Sequence, residues 1–157
     1  MRRRDRQTSR QEALEILTAA PWAVLSVVDQ KGRPYSTPVS PALMNGALYF
    51  HSAVEGGARS CALEACPEVS LCAVSRCEVL PDRYGLNFAS AVVQGRCTRV
   101  SDESEAKAAL QAITDRYDPQ ADPGKTKEVI EQGFEKASVW RIDIVEVSGK
   151  SRQPRKN

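Results

Sequence analysis

Residues 45–59 read Asn-Gly-Ala-Leu-Tyr-Phe-His-Ser-Ala-Val-Glu-Gly-Gly-Ala-Arg, and their order decides the fold. Asn45-Gly46 is a strong hairpin signal, because both residues tolerate positive φ. An aromatic strand follows, Leu48-Tyr49-Phe50-His51, which carries the chain's single histidine. Alternation along it puts Leu48, Phe50 and Ser52 on one face and Tyr49, His51 and Ala53 on the other. Glu55-Gly56-Gly57 breaks the strand, and a short helix is expected from Ala58 to Cys66, halted by Pro67. A glycine-rich break at a helix start leaves backbone N–H groups unpaired at the positive end of a dipole. That arrangement suits a phosphate, and Arg59 adds a charge beside it.

Upstream, Ser9-Arg10-Gln11-Glu12 is a capping-box pattern opening a helix that carries Leu14, Ile16 and Leu17 and ends before Pro21. Trp22 to Asp29 is β-branched and reads as the first strand. Gln30-Lys31-Gly32 turns the chain into a second strand, Arg33 to Val39. Pro34 and Pro38 cannot donate to a ladder, so this strand is expected at an edge or at a bulge. Its free main-chain groups would then be open to a ligand.

Downstream, Val69 to Val74 reads as a strand and residues 76–87 as a loop. Phe88 to Val100 reads as a long strand with a bulge at Gly95. Ser101-Asp102 caps a helix running to about Tyr117, and Thr126 to Lys136 forms another. Ser138 to Val147 is the last strand. Consecutive strands joined by short turns call for antiparallel pairing, not the βαβ alternation of a parallel sheet. The expected fold is mainly β with flanking helices, a six-stranded antiparallel barrel. Its limits are drawn as a basic tail over residues 1–8, one domain over 9–148 and a second basic tail over 149–157.

The 157 residues are enough for one domain with a full core. A net charge of +2 is too small to call for nucleic acid. No signal peptide or membrane-length apolar run is present, so a cytoplasmic protein without membrane contact is expected. The five cysteines (Cys61, Cys66, Cys72, Cys77 and Cys97) are an odd number and fit no zinc spacing. They are read as buried free thiols, with no metal site.

The chain resembles the FMN-binding split-barrel superfamily, of which pyridoxamine 5′-phosphate oxidase is the best-known member, and within it the nitroimidazole-resistance (NimA-like) branch. The matching pieces are Val24-Leu25-Ser26-Val27, Gly32-Arg33-Pro34-Tyr35, Thr37-Pro38-Val39 and, most specific, Leu48 to Ala53 with Glu55-Gly56. Further matches are Glu78-Val79-Leu80-Pro81, Ser90 to Val93 with Gly95, and Ser148-Gly149-Lys150. The similarity spans roughly residues 10–152. It implies a homodimer with FMN at the subunit interface and its phosphate at the helix after residue 57. Thr37, Pro38 and Val39 would line the isoalloxazine ring. Phe50, His51, Ser52 and Ala53 would follow the ribityl chain and ring edge. Residues near Tyr84 to Ser90 and Trp140 of a second copy would close the site.

The sequence departs from that branch in two places. The branch places a lysine where this chain has Ala58, and Arg59 stands one residue later, a step of 100° around a helix. Arg59 can reach back, because helical side chains lean toward the N-terminus. A Thr-rich stretch of the family is replaced by Gly85-Leu86-Asn87.

Two functions follow from the resemblance. One is an FMN-dependent oxidoreductase, nitroreductase-like, reducing small electron-poor compounds such as nitroimidazoles or nitro-aromatics, with His51 as the catalytic residue that orients the substrate or passes a proton. The alternative is a non-catalytic flavin- or haem-binding protein using the same cleft, with His51 as an axial ligand. Oxidation of pyridoxamine phosphate itself ranks last, because that enzyme's substrate-binding C-terminal residues are not found. Structural readings stand beside these: His51 as a hydrogen-bonded rim residue, Arg59 as a solvated helix arginine, Glu78 as a hydrogen-bond acceptor, and Trp22 and Trp140 as core or interface aromatics.

Overall fold

The computed structural model describes residues 4–81 and 84–152. After a single 3₁₀ turn come α1 (Arg10–Ala19), β1 (Ala23–Val28), β2 (Pro34–Val39), β3 (Ala42–Met44), β4 (Ala47–Ala53) and α2 (Ala58–Ala65). There follow β5 (Glu68–Leu80), β6 (Gly85–Arg99), α3 (Glu103–Tyr117), α4 (Pro123–Gly133), a second 3₁₀ turn and β7 (Ala137–Arg152). The strands form one antiparallel sheet in the order β2-β1-β5-β6-β7-β4-β3.

That order shows how the barrel closes. β2 and β3 are the two outer strands of the sheet, yet only Ser40 and Pro41 separate them in sequence. Three Cα steps span at most about 11 Å. The sheet must therefore curl until its ends nearly meet, leaving a seam that no ladder bridges. Strand β2 sits at an edge, where its prolines require it.

The sheet has seven strands, not the expected six. The addition is β3, which pairs Ala42 with Tyr49 and Met44 with Ala47 across the Asn45-Gly46 turn. Both turn residues have positive φ, 51° and 80°, as the dipeptide predicts. Residues 76–80 and 85–87, expected in a loop, are paired: β5 and β6 continue together to Leu80 opposite Gly85. Ser148 to Arg152, beyond the expected end of the last strand, also belong to a ladder, opposite Val92 to Phe88. Gln7, on the other side of the sheet end, bridges to Lys150. The segments drawn as tails therefore contribute ordered pairing on both sides. Residues 1–3 and 153–157 lie outside the described residues.

The barrel interior holds Leu25, Leu48, Phe50, Leu71, Val93 and Ile142, with Ala13 and Leu17 of α1 and Leu63 of α2 packed against them. A smaller cluster lies on the outer face, where Ala106 and Ala109 of α3 cover Ala47, Tyr49 and Val139. The capping box of α1 is present: Ser9 Oγ accepts from Glu12 N, and Ser9 N donates to Glu12 Oε2. All five cysteines are free, but only Cys97 is buried, and burial pushes its thiol up to about 12. Cys61, Cys72 and Cys77 are exposed. The reading of the thiols as core residues therefore holds for one of them, because the outer faces of α2 and β5 take the others.

Candidate functional site

The site begins where β4 loses its outer cover. Ala47 to Phe50 are buried on both faces, the inner one by the barrel core and the outer one by α3. At His51 the outer face opens and the imidazole becomes exposed. Ser52 is held from inside, because the buried Trp140 donates its Nε1–H to Ser52 Oγ at 3.1 Å. Ala53 ends the strand and its carbonyl accepts from Gly56 N. Gly56 has φ +70°, and the chain then enters α2.

Helix α2 starts on Gly57, which offers no side-chain cap, and no acidic residue stands in the first turn. Three of the four N–H groups at a helix start have no intrahelical partner and here none from a capping side chain either. Arg59 lies within that turn. Its guanidinium carbon is 5.5 Å from the centroid of Phe50, and its Nε is buried with no hydrogen-bond partner in the protein. A buried donor without an acceptor costs about 1–3 kcal/mol. An anion at the helix start would remove that cost, so the residues present fit a phosphate group without the lysine that Ala58 replaces.

Arg59 and His51 share a cleft of about 330 Å³ with Trp22, Pro38, Val39 and Ser40. It adjoins a largely apolar groove of about 600 Å³ lined by Trp22, Val24, Ser36, Thr37 and Pro38. The two share Trp22 and Pro38, so a flat molecule with an anionic tail can lie across both. The pKa of His51 is lowered, first by the protein crowded around its ring and second by the Arg59 charge. The imidazole is therefore neutral at pH 7 and keeps one nitrogen free to accept a hydrogen bond or a ligand.

Of the residues expected at the site, Pro38, Val39, His51 and Arg59 come together in this cleft, and Thr37 lines the adjoining groove. Phe50 is 1% exposed and belongs to the barrel core, where its ring lies under Arg59 rather than along a ligand. Ser52 is engaged by Trp140, and Ala53 is exposed at the strand end. Two lining residues were not anticipated. Trp22 is 54% exposed at the junction of the two compartments, whereas Trp140 is a core residue. Ser40 is the exposed residue between buried Val39 and Pro41. The hint for both was positional, since each lies just outside a strand and next to a proline. Glu78 is an acceptor, as expected: Asn87 donates to it across the β5–β6 ladder. Among the described residues no three His, Cys, Asp or Glu side chains converge as a metal set.

A sheet rolled into a barrel with an unpaired seam, and an uncapped helix start opening beside that seam, defines the split-barrel class of proteins. The chain belongs to the pyridoxamine 5′-phosphate oxidase family, whose sequence profile matches residues 9–151. No curated protein matches it. Among solved structures, it is similar to a candidate 5-nitroimidazole antibiotic resistance protein from Bacteroides thetaiotaomicron. The identity is 22%, the TM-score 0.74, and the alignment covers 90% of this chain and 83% of the other. A FAD-binding protein from Mesorhizobium loti is 26% identical with a TM-score of 0.64, covering 94% and 98%. A FAD- and haem-binding protein from Mycobacterium smegmatis is 20% identical with a TM-score of 0.77, covering 97% and 76%.

Proposed function

We propose that this chain is an FMN-binding oxidoreductase that reduces small electron-poor compounds such as nitroimidazoles or nitro-aromatics. The observation that carries the reading is the buried, unpartnered Nε of Arg59 at an uncapped helix start, in the same cleft as His51. Arg59 and the first turn of α2 hold the phosphate. Thr37, Pro38 and Val39, on a strand edge with no neighbour, lie along the ring system. The flavin supplies hydride or electron transfer when bound. His51, neutral at pH 7, accepts a hydrogen bond from the substrate or gives it a proton. The solved relatives that bind flavin, and the resemblance to the nitroimidazole-resistance branch, support the cofactor and the substrate class.

The exposed Trp22 and the apolar groove beneath it favour a homodimer in which a second copy covers the ring. A cytoplasmic setting accords with the free thiols. The test is direct. Purified protein is loaded with FMN, separated from free flavin, reduced, and mixed anaerobically with a nitroimidazole. Retained flavin absorbance, reoxidised on mixing, is the expected result. Protein that retains no flavin overturns the reading.

A second reading is favoured by one feature, the exposed position and lowered pKa of the single histidine. Such an imidazole is available as an axial ligand to haem in the same cleft. A Soret band in haem-loaded protein that disappears in His51→Ala would favour storage or sensing over reduction.

A further inference from the structure

The cleft's two walls come from distant parts of the chain. Trp22 follows the end of α1, and Ser40 sits in the link between β2 and β3. Neither segment is paired in a ladder at that point. What fixes their separation lies behind them, on the last turn of α3.

Arg116 reaches from α3 to both. Its NH2 donates to the carbonyls of Leu17 and Ala20, each at 2.8 Å, and its NH1 donates to the carbonyl of Pro41. The first two carbonyls close the C-terminal end of α1, two residues before Trp22. The third immediately follows Ser40. Tyr117 supports the same point, donating its hydroxyl to Pro41 O at 3.1 Å, while the Arg116 guanidinium rests 4.9 Å from the Tyr117 ring centroid. α1 has no basic residue in its own last turn, so the cation that complements its negative dipole end comes from another helix. Only a planar fork with several fixed donors can join carbonyls on two chain segments at once; an ammonium presents its donors from a single atom.

The geometry points to Arg116 as a positioning residue for the ligand cleft: by clasping the α1 end and the β2–β3 link together, it sets the gap between Trp22 and Ser40. It touches no ligand and acts through the backbone on either side. Burial lowers the pKa of Arg116, as expected of a cation drawn into the protein by carbonyl partners. The inference rests on the flavin-cleft reading for its ligand, but the clasp has a ligand-free readout as well.

The experiment compares wild type with Arg116→Met, Arg116→Lys and a control, Ile113→Val, which trims a buried residue of the same helix without touching the clasp. FMN affinity is measured by fluorescence quenching, well below each variant's Tm. Acrylamide quenching of the free protein reports Trp22, since Trp22 is 54% exposed and Trp140 only 2%. Arg116→Met is expected to weaken FMN binding about tenfold, the scale of re-ordering one lip on binding, and to raise acrylamide access to Trp22. Arg116→Lys should fall between it and wild type, and Ile113→Val should leave both readouts unchanged. Wild-type affinity together with wild-type quenching in a folded Arg116→Met overturns the inference, as does the same loss in Ile113→Val. If Arg116→Met does not fold, Arg116→Lys decides by the same criteria. If wild type binds no FMN, the proposed function fails, and the Trp22 quenching alone decides the clasp.

Discussion

The guanidinium of Arg59 lies 5.5 Å from the centre of the Phe50 ring, so a core aromatic braces the cation of the cleft. Phe50 is buried at the barrel wall, and the arginine spreads over it with one donor still unpaired. This arrangement accounts for a functional helix start without a lysine at position 58. The longer side chain, one residue later, is turned back and held by the ring.

Arg59→Met keeps a flexible apolar side chain over Phe50 and removes the charge. Hydrogen bonds to charged groups contribute about 1.5–3 kcal/mol, so FMN affinity should fall roughly 10- to 100-fold. The cation–π contact adds about 0.5–1 kcal/mol at such a site, so Tm should move little. A flavin titration and a thermal melt on the same sample check both. Unchanged affinity would remove Arg59 from the phosphate site.

His51 is the sole histidine, so its ring resonances can be followed without assignment of others. Its folded pKa is below the ordinary 6.5. Between that lowered value and 6.5 the unfolded chain binds more protons than the folded one, so stability rises with pH in this window. The contribution is complete above about 6.5 and is lost as pH falls through the folded pKa. His51→Gln should show a flatter dependence of Tm on pH over this window than wild type. In an NMR titration, addition of FMN should raise the midpoint, because its phosphate offsets the Arg59 charge.

Ser52→Ala removes the acceptor of the Trp140 Nε1–H and leaves a donor without a partner among buried atoms. The expected cost is about 1–3 kcal/mol, or a fall in Tm of roughly 2–12 °C for a chain of this length. Thermal denaturation followed by tryptophan emission checks it. A melt identical to wild type would mean that the indole finds water instead.

Gly95→Ala tests the bulge between Gln94 and Gly95 where β6 meets β7. A Cβ there would stand 2.4 Å from the Asp143 carbonyl oxygen and 2.7 Å from Ile142 Cγ2. The first obstacle is backbone and cannot rotate away, so a loss of about 1–3 kcal/mol or more is expected. Urea denaturation should show a lower midpoint with an unchanged slope.

Much of this was legible beforehand because it depended on neighbours in sequence. The Ser9–Glu12 box, the positive-φ pair at Asn45-Gly46, the prolines that send β2 to an edge and the uncapped start at Gly57 are all local signals. What escaped depended on partners elsewhere. β3 is three residues long, too short for any periodicity, and exists because β4 turns back on it. Residues 76–87 carry Pro81 and Gly85 and look like a loop, yet each half supplies the other's ladder. Phe50 was expected along a ligand because it adjoins His51, but alternation sends it to the opposite face. Arg116 resembles an ordinary basic residue closing its own helix, and only the packed structure shows it serving α1 instead. At the site, the charged and β2-edge residues were readable from sequence, whereas the walls supplied by Trp22 and Ser40 were not.

The two-residue link between β2 and β3 acts as a ruler. The sheet is a ribbon whose ends are tied rather than a hoop fused shut, and the tie's length fixes the circumference. Lengthening it at Ser40–Pro41 would let the ribbon uncurl without breaking any inter-strand hydrogen bond. The mouth beside Trp22 is thus the one place where the barrel can widen while every rung stays intact.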